Sequence, residues 1–185
     1  GTNPVVSMPD ADSVKAALAA CPFVVVSDVV ARNDTLPFAD VALPAAAWGE
    51  KDGTVTNSER RISRQRPFLT LPGEARPDWA IIADVARRMG FADGFSHASV
   101  ADVFDEHARL SAHGNAGARD FDIGALAGLD QCGYDALEPV QWPQPRVVSP
   151  SDSGDAPAEA GAASAKDGNR FFGDGHFYHP DGRAR

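Results

Sequence analysis

The sequence predicts an α/β fold, because a helix, a short apolar strand, a loop and a second strand follow one another near its start. Apolar residues at helical spacing predict a helix with Ser7 as candidate N-cap, and Pro22 ends it. The unbroken run FVVV at 23–26 predicts a strand buried on both faces. Residues 39–44 predict a second strand, closed by Pro44. This order favours a Rossmann-like, mostly parallel sheet with flanking helices, in an incomplete domain.

The middle of the chain is predicted to hold one long loop and two helices. Residues 48–72 show no regular period and predict a loop of the length that often carries function. A helix follows from Asp78 to Gly90, and Ser99 is the candidate N-cap of the next. The predicted core face of the first helix consists of Trp79, Ile82, Val85, Ala86 and Met89. Predicted core contacts farther along are Ile123, Leu126, Leu129, Tyr134 and Leu137.

Composition divides the 185 residues into three segments. Residues 1–147 contain the periodic apolar pattern of a packed α/β domain. Residues 148–169 carry no large apolar side chain and predict a flexible linker, because such a segment cannot bury enough surface to offset its ordering entropy. Residues 170–185 alternate aromatics with Asp-Gly turns and predict the first hairpin of a β-rich domain.

Charge and residue counts disfavour several classes of function. The formal net charge of −9 argues against a nucleic-acid partner. No apolar run approaches the roughly 20 residues of a membrane helix, so no membrane partner is predicted. Two cysteines are too few for a disulfide framework or an iron–sulfur cluster, and the five histidines lack ligand spacing. We therefore predict no metal ligand and no self-contained catalytic set in this chain.

One segment of the acidic chain is basic. Residues 51–90 contain eight Lys or Arg and five Asp or Glu, a balance of +3, so the remaining residues carry −12. Such a segment indicates either a localised anion site or a solvated face whose arginines pair with carboxylates.

Polar residues follow both predicted strands, where ligands bind in open parallel sheets. Ser27 and Asp28 end the first strand, and Asp28 either accepts hydrogen bonds from a ribose or base edge or braces its own loop. Lys51 follows the second strand and either reaches the same crevice or is an ordinary surface lysine. Asp78 begins a helix, where capping alone would explain a carboxylate. The segment 57–61 (NSERR) places an amide and two guanidiniums in one loop, which suits phosphate or carboxylate contacts.

Taken together, five segments resemble the molybdopterin oxidoreductases of the dimethyl sulfoxide reductase type. Their order and spacing are most similar to those of assimilatory nitrate reductases, with periplasmic nitrate reductases and formate dehydrogenases next. The resemblance covers about residues 1–147. The segments are GTNP at 1–4, VSD at 26–28, ADVALP at 39–44, WGEKDGTVTNSERR at 48–61 and PGEARPDW at 72–79.

The resemblance implies a domain that holds one of two molybdopterin guanine dinucleotides around a single molybdenum. It assigns cofactor binding to five residues: Asn3, Ser27, Asp28, Lys51 and Asp78. Asp28 would lie on the guanosine side, Lys51 would counter charge and Asn3 would close on the pterin side. Residues 59–61 would brace their loop.

The resemblance also implies partners outside this chain. A [4Fe–4S] cluster and the molybdenum ligand are expected in a part of the enzyme that precedes Gly1, and residues 179–185 resemble the entry into a C-terminal β-rich domain. An electron-donor protein or domain and a cytoplasmic location are expected, and the chain alone is not expected to reduce nitrate. Two alternatives remain: a segment of a formate dehydrogenase α-subunit, or a stand-alone nucleotide-binding or interaction module.

Overall fold

The structure, a computed structural model, describes residues 2–115 and 117–146, together with 172, 173, 175, 177 and 179–184. The chain divides into two structural units. The first comprises Gly1–Asp52 and Gln65–His97, and the second Gly53–Arg64 and Ala98–Arg185. The predicted linker at 148–169 lies outside the described residues, as does much of the predicted hairpin at 170–185. Both stay predictions.

The first unit contains a parallel pair of strands and three helices. The strands are β1 (Val25–Asp28) and β2 (Val41–Pro44), with Val25 opposite Val41 and Asp28 opposite Pro44. The helices are α1 (Pro4–Ser7), α2 (Ala11–Ala20) and α3 (Asp78–Arg88). The parallel pairing confirms the predicted order of strand, loop and strand.

The prediction that Ser7 caps the first helix is wrong. Pro4 begins the separate one-turn helix α1, in which Ser7 is the last residue. Pro9 then disfavours helical backbone at Met8, which is extended. The N-cap of α2 is Asp10, whose carboxylate accepts a hydrogen bond from the Ser13 amide at 3.3 Å.

Strand β1 begins two residues later than predicted and includes the polar pair that was expected to follow it. The expectation that both faces are buried is also wrong, because Val25 is 49% exposed. Among the described residues β1 pairs with β2 alone. One neighbouring strand cannot cover a strand as a central position in a larger sheet would.

Helix α3 has the predicted extent, and Gly90 with a φ of 95° follows it. The predicted core face, however, is wrong in part. Ile81, Ala83 and Ala86 are the buried residues of α3, whereas Ile82 and Met89 are 60% and 68% exposed. Helical spacing identifies an apolar stripe, but the anchoring of the helix decides which side packs.

The predicted loop at 48–72 contains two strands, and this prediction is therefore wrong. Strands β3 (Gly53–Thr56) and β4 (Arg61–Gln65) form one sheet with β5 (Val140–Gln141), in which β4 and β5 are antiparallel. The turn between β3 and β4 is held by Asn57, whose Oδ1 accepts from the Glu59 and Arg61 amides at 3.0 Å each. The described chain is thus a mixed α/β protein with one parallel and one antiparallel sheet.

The core of the second unit lies between β4 and the helices α4 (Val100–Ala112) and α5 (Gln131–Asp135). Ser99 caps α4 in a capping box with Asp102, as predicted. The predicted core residues Ile123 and Tyr134 are fully buried. Leu126, Leu129 and Leu137, also predicted, pack against the same cluster.

A buried amide ties the end of α4 to the segment that follows it. Asn115 is 1% exposed, and its Nδ2 donates to the Ser111 and Phe121 carbonyls at 3.3 and 3.2 Å. Its Oδ1 accepts from the Arg119 amide at 2.7 Å. The Ser111 carbonyl also accepts from Arg119 Nη2 at 3.4 Å, whereas the Phe121 carbonyl and the Arg119 amide are paired with the Asn115 side chain.

Asn115→Ala should lower the free energy of unfolding of the second unit by about 2 kcal/mol, because it leaves buried polar groups unsatisfied. Urea denaturation measures the change in the free energy of unfolding, and hydrogen exchange at the Ile123 amide reports the loss of stability within the second unit. Ser58→Ala, at an exposed turn position of the same unit, serves as control and should change stability by less than about 0.5 kcal/mol. Equal stability of the two variants would contradict the role of Asn115.

Candidate functional site

Ser27 and Asp28 end β1 and line different cavities, because successive side chains of a strand point to opposite faces. Asp28 lines a cavity of about 320 Å³ together with Val26, Ala42 and Pro44. Ser27 lines a cavity of about 280 Å³ with Leu43, Asp78 and apolar residues of α3. Both cavities therefore lie at the carboxyl ends of the parallel strands, where sheets of this type bind ligands.

The carboxylate of Asp28 is buried and held by its own chain. The residue is 9% exposed. Its Oδ1 accepts from the amides of Val29 and Val30 at 2.6 and 3.3 Å, and its Oδ2 accepts from Asn33 Nδ2 at 2.8 Å. Asp28 thus braces the turn after β1, which was one of the two interpretations left open by the sequence. A carboxylate oxygen has two acceptor positions, so Oδ2 still has capacity for a ligand donor.

Asn3 is connected to Asp28 through the turn at 33–35. The hydroxyl of Thr35, a residue only 3% exposed, donates to Asn3 Oδ1 at 2.6 Å. Asn3 Nδ2 donates to Asp34 Oδ2 at 3.3 Å. Asn33 in turn joins Thr35 to Asp28, since its Oδ1 accepts from the Thr35 amide at 2.9 Å. Asn33, Asp34 and Thr35 were not found by sequence reasoning, although an Asn-Asp-Thr triplet is typical of side-chain-braced turns.

Lys51 pairs with Asp78 in the first unit. Lys51 Nζ lies 2.6 Å from Asp78 Oδ2, with side chains 33% and 48% exposed. Asp78 shares its cavity with Ser27, so Ser27, Lys51 and Asp78 form one group. Asn3 and Asp28 form a second group through the turn. The described contacts therefore join Lys51 to Asp78, whereas the sequence left open whether Lys51 reaches the crevice of Asp28 or is an ordinary surface lysine.

Arg76 anchors the start of α3 beside the end of β2 and so positions Asp78. The Arg76 amide donates to the Pro44 carbonyl at 3.1 Å, and the Ala46 amide donates to the Arg76 carbonyl at 2.9 Å. The Arg76 guanidinium forms an ion pair with Asp84, in the second turn of the helix, at 3.1 Å. These contacts hold the residues that directly precede α3 against the end of β2.

Arginines of the basic segment that belong to the second unit contact protein groups. Arg60 lies 5.6 Å from the ring centroid of Trp142, and Arg61 Nη1 donates to the Pro139 carbonyl at 3.4 Å. The Arg64 side chain is 2% exposed, forms an ion pair with Asp135 at 3.1 Å and lies over the ring of Tyr134. These contacts join the three arginines to residues 134–142, and the expectation that residues 59–61 brace their own loop stays a prediction.

Within the described part of the chain, no three His, Cys, Asp or Glu side chains cluster as metal ligands would. None of the described helices is long and apolar enough to cross a membrane. Cys21 and Cys132 are both exposed free thiols.

Fold and site define an α/β protein whose candidate ligand groups gather at the carboxyl edge of a parallel strand pair. Residues 1–88, which contain this edge and all five candidate residues, match the family model described as molybdopterin oxidoreductase. Residues 1–88 therefore belong to the molybdopterin oxidoreductase family.

Named relatives of the chain are nitrate reductases and formate dehydrogenases. The nitrate reductase of Klebsiella oxytoca is 60% identical over 146 residues, which are 79% of this chain and 17% of the relative. The assimilatory nitrate reductase catalytic subunit of Bacillus subtilis is 39% identical over 152 residues, 80% of this chain and 20% of the relative. The F420-dependent formate dehydrogenase subunit alpha of Methanocaldococcus jannaschii is 47% identical over 106 residues, 57% of this chain and 16% of the relative. The chain thus spans a fifth or less of the length of these relatives.

The Arg76–Asp84–Arg88 cluster gives a test of how α3 is anchored. The pKa of Asp84 lies below its ordinary value of 3.8, chiefly because Arg76 donates a hydrogen bond to it and secondly because Arg88 does. Arg76→Ala should therefore raise the pKa of Asp84 more than Arg88→Ala does, as measured by carbon-13 NMR titration of the carboxyl group.

The sign of the pH effect follows from this depressed pKa. The contribution of Asp84 to stability is present above its unfolded pKa and is lost as the pH falls through the lower folded value. Equal or reversed shifts in the two variants would contradict Arg76 as the main anchor.

Proposed function

We propose that the first unit binds one molybdopterin guanine dinucleotide of a bis-dinucleotide molybdenum cofactor, in a Rossmann-like domain of which β1, β2 and α3 are part. The observation that carries this proposal is the buried Asp28 carboxylate, which lines a cavity at the carboxyl end of β1 and keeps acceptor capacity on Oδ2. A base or ribose with hydrogen-bond donors fits such a group.

The other candidate residues supply groups that fit the rest of a dinucleotide. Lys51 offers a partly exposed cation suited to a pyrophosphate. Ser27 and Asp78 line the adjoining cavity. Asn3, whose Oδ1 accepts a hydrogen bond from the Thr35 hydroxyl, would contact the pterin side of the cofactor. In this proposal the chain binds and orients the cofactor, and none of its residues is assigned a catalytic role.

We infer that the whole enzyme is a nitrate reductase that converts nitrate to nitrite. Support comes from the relatives named nitrate reductase in Klebsiella oxytoca and Shewanella frigidimarina, which are 60% and 52% identical over 79% and 77% of this chain. When bound, the molybdenum cofactor would supply two-electron chemistry and accept the oxygen atom of the substrate. A [4Fe–4S] cluster, an electron donor and a cytoplasmic location belong to the same proposal.

The second candidate is a formate dehydrogenase, favoured by the relative from Methanocaldococcus jannaschii at 47% identity. Assay of the enzyme that contains this chain, with nitrate and a reduced viologen in one arm and with formate and an oxidised viologen in the other, separates the two. Formate oxidation without nitrate reduction would overturn the nitrate reductase proposal.

GDP, which carries the guanosine and diphosphate parts of the cofactor, should bind the full chain and raise its melting temperature. Asp28→Ala should weaken this binding at least tenfold in isothermal titration, because it removes the buried acceptor. Asp12→Ala, at a carboxylate that is 97% exposed, is the control and should bind GDP as the wild type does. No melting shift with millimolar GDP would contradict nucleotide binding by the first unit.

Lys51→Gln should weaken binding of GDP several-fold and leave binding of guanosine unchanged, because Lys51 is proposed to act on the diphosphate. The salt dependence of GDP binding should fall in the same variant. Lys15→Gln makes the same change of charge on α2, beside Asp12, and serves as control. A similar loss for GDP in both lysine variants would assign the effect to net charge and contradict a local role for Lys51.

A further inference from the structure

The orientation of the Asn33 side-chain amide is determined by its surroundings. Its Oδ1 accepts from the backbone amides of Thr35 and Leu36 at 2.9 and 2.7 Å, so this atom must be the carbonyl oxygen. Its Nδ2 therefore points toward Asp28, to which it donates at 2.8 Å. If the Asn33 amide were flipped, its oxygen would face the Asp28 carboxylate oxygen and its NH₂ group would face the backbone N–H groups of Thr35 and Leu36. Both contacts would be repulsive.

This orientation determines what the Asp28 carboxylate offers to a ligand. Oδ1 already accepts from the amides of Val29 and Val30, and Oδ2 accepts from Asn33. The remaining acceptor capacity lies on Oδ2, and an ionised carboxylate has no donor. A ligand group that binds Asp28 in this cavity must therefore be a hydrogen-bond donor.

Asn33 also fixes part of the apolar wall beside Asp28. Leu36, whose amide donates to Asn33, lines the same cavity as Asp28, together with Val30, Pro44 and Pro72. The lining is mostly apolar, and Asp28 and Glu50 are its two carboxylates. Apolar walls with acceptors of this kind suit a planar base whose edge carries N–H groups. A ribose, with several hydroxyls, would find fewer polar partners on these walls. Guanine presents N1–H and an amino group on one edge, whereas adenine places an acceptor at N1.

We propose that Asn33 is a positioning residue that holds Asp28 Oδ2 and the Leu36 wall for a guanine base, and thereby sets a preference of this cavity for guanine over adenine. This inference rests on the proposed binding of a guanine dinucleotide. It assigns a role to a residue that does not line the cavity and acts through Asp28 and Leu36.

The test compares binding of GDP and ADP to the full chain by isothermal titration. The wild type should bind GDP at least tenfold more tightly than ADP. In Asn33→Asp the new carboxylate can still accept from the Thr35 and Leu36 amides, but it faces Asp28 with an acceptor instead of a donor. In this variant the ratio of GDP affinity to ADP affinity should fall most of the way to one, mainly because GDP binds more weakly.

A matched control comes from the second unit. Asn57 Oδ1 also accepts from two backbone amides, those of Glu59 and Arg61, so Asn57→Asp makes the same change in a similar turn. This control should keep the wild-type ratio. The double variant Asp28→Asn with Asn33→Asp restores the hydrogen bond with donor and acceptor exchanged. It should recover the melting temperature lost in Asn33→Asp without recovering the preference for GDP.

The outcomes separate this inference from the proposed function. Failure of the wild type to bind GDP overturns both. Equal wild-type affinities for GDP and ADP indicate recognition of the ribose or phosphates, which overturns the inference alone. Three other outcomes overturn the inference, because each shows that Asn33 only supports the fold. The first is an unchanged ratio of GDP to ADP affinity in Asn33→Asp, and the second is an equal loss of affinity for both ligands. The third is recovery of the preference for GDP in the double variant.

Discussion

The parallel pairing of β1 with β2 determines where each candidate ligand-binding group of the first unit lies. The register is set at the start of the strands, where Asp40 Oδ2 accepts from the Val24 amide at 2.7 Å and the Val24 carbonyl accepts from the Asp40 and Val41 amides at 2.9 and 3.2 Å. At the other end the Ala45 amide donates to the Asp28 carbonyl. A slip of one residue would exchange the faces of Ser27 and Asp28, because side chains alternate along a strand. Four residues in each strand are enough to specify the site because both ends of the pair are fixed.

Two polar connections extend this register to the rest of the first unit. The turn after β1 brings Asn33 within hydrogen-bond distance of Asp28, and Thr35 within hydrogen-bond distance of Asn3. The connection before α3 brings Arg76 beside Pro44, and Asp78 then meets Lys51. Burying the Asp28 carboxylate without a cation would be costly, and the three hydrogen bonds from Val29, Val30 and Asn33 offset that cost. The same contacts that stabilise the turn therefore determine which face of the carboxylate remains open.

Sequence reasoning succeeded where the pattern was local. Capping by Ser99, the stop at Gly90 and the strand–loop–strand order each depend on neighbouring residues, and the structure confirms them. It failed locally at Ser7, because Pro9 separates α1 from α2, and it failed elsewhere where a distant element decides. Strand β4 carries Ile62 among polar residues, and only packing on α4 and α5 shows why Ile62 is 3% exposed. Asp28 and Lys51 could be proposed because they follow predicted strands, and Asp78 because it begins a predicted helix. Asn33 and Thr35, by contrast, matter through their contacts with Asp28 and with Asn3, which lies 32 residues from Thr35.

The two groups of candidate residues differ in how ready they are for a ligand. Asp28 is buried, and backbone amides and Asn33 hold its carboxylate, so a ligand that binds it requires little further ordering of the protein. Lys51 and Asp78 are partly exposed and already neutralise each other at 2.6 Å, so an anion that binds Lys51 must share or displace Asp78. An exposed ion pair of this kind contributes about 1 kcal/mol or less to stability, so an anion that displaces Asp78 from Lys51 has little free energy to offset. With a preformed acceptor in one group and an adjustable cation in the other, the proposed recognition of the base would remain strict while the charge at the phosphates adapts to the ligand.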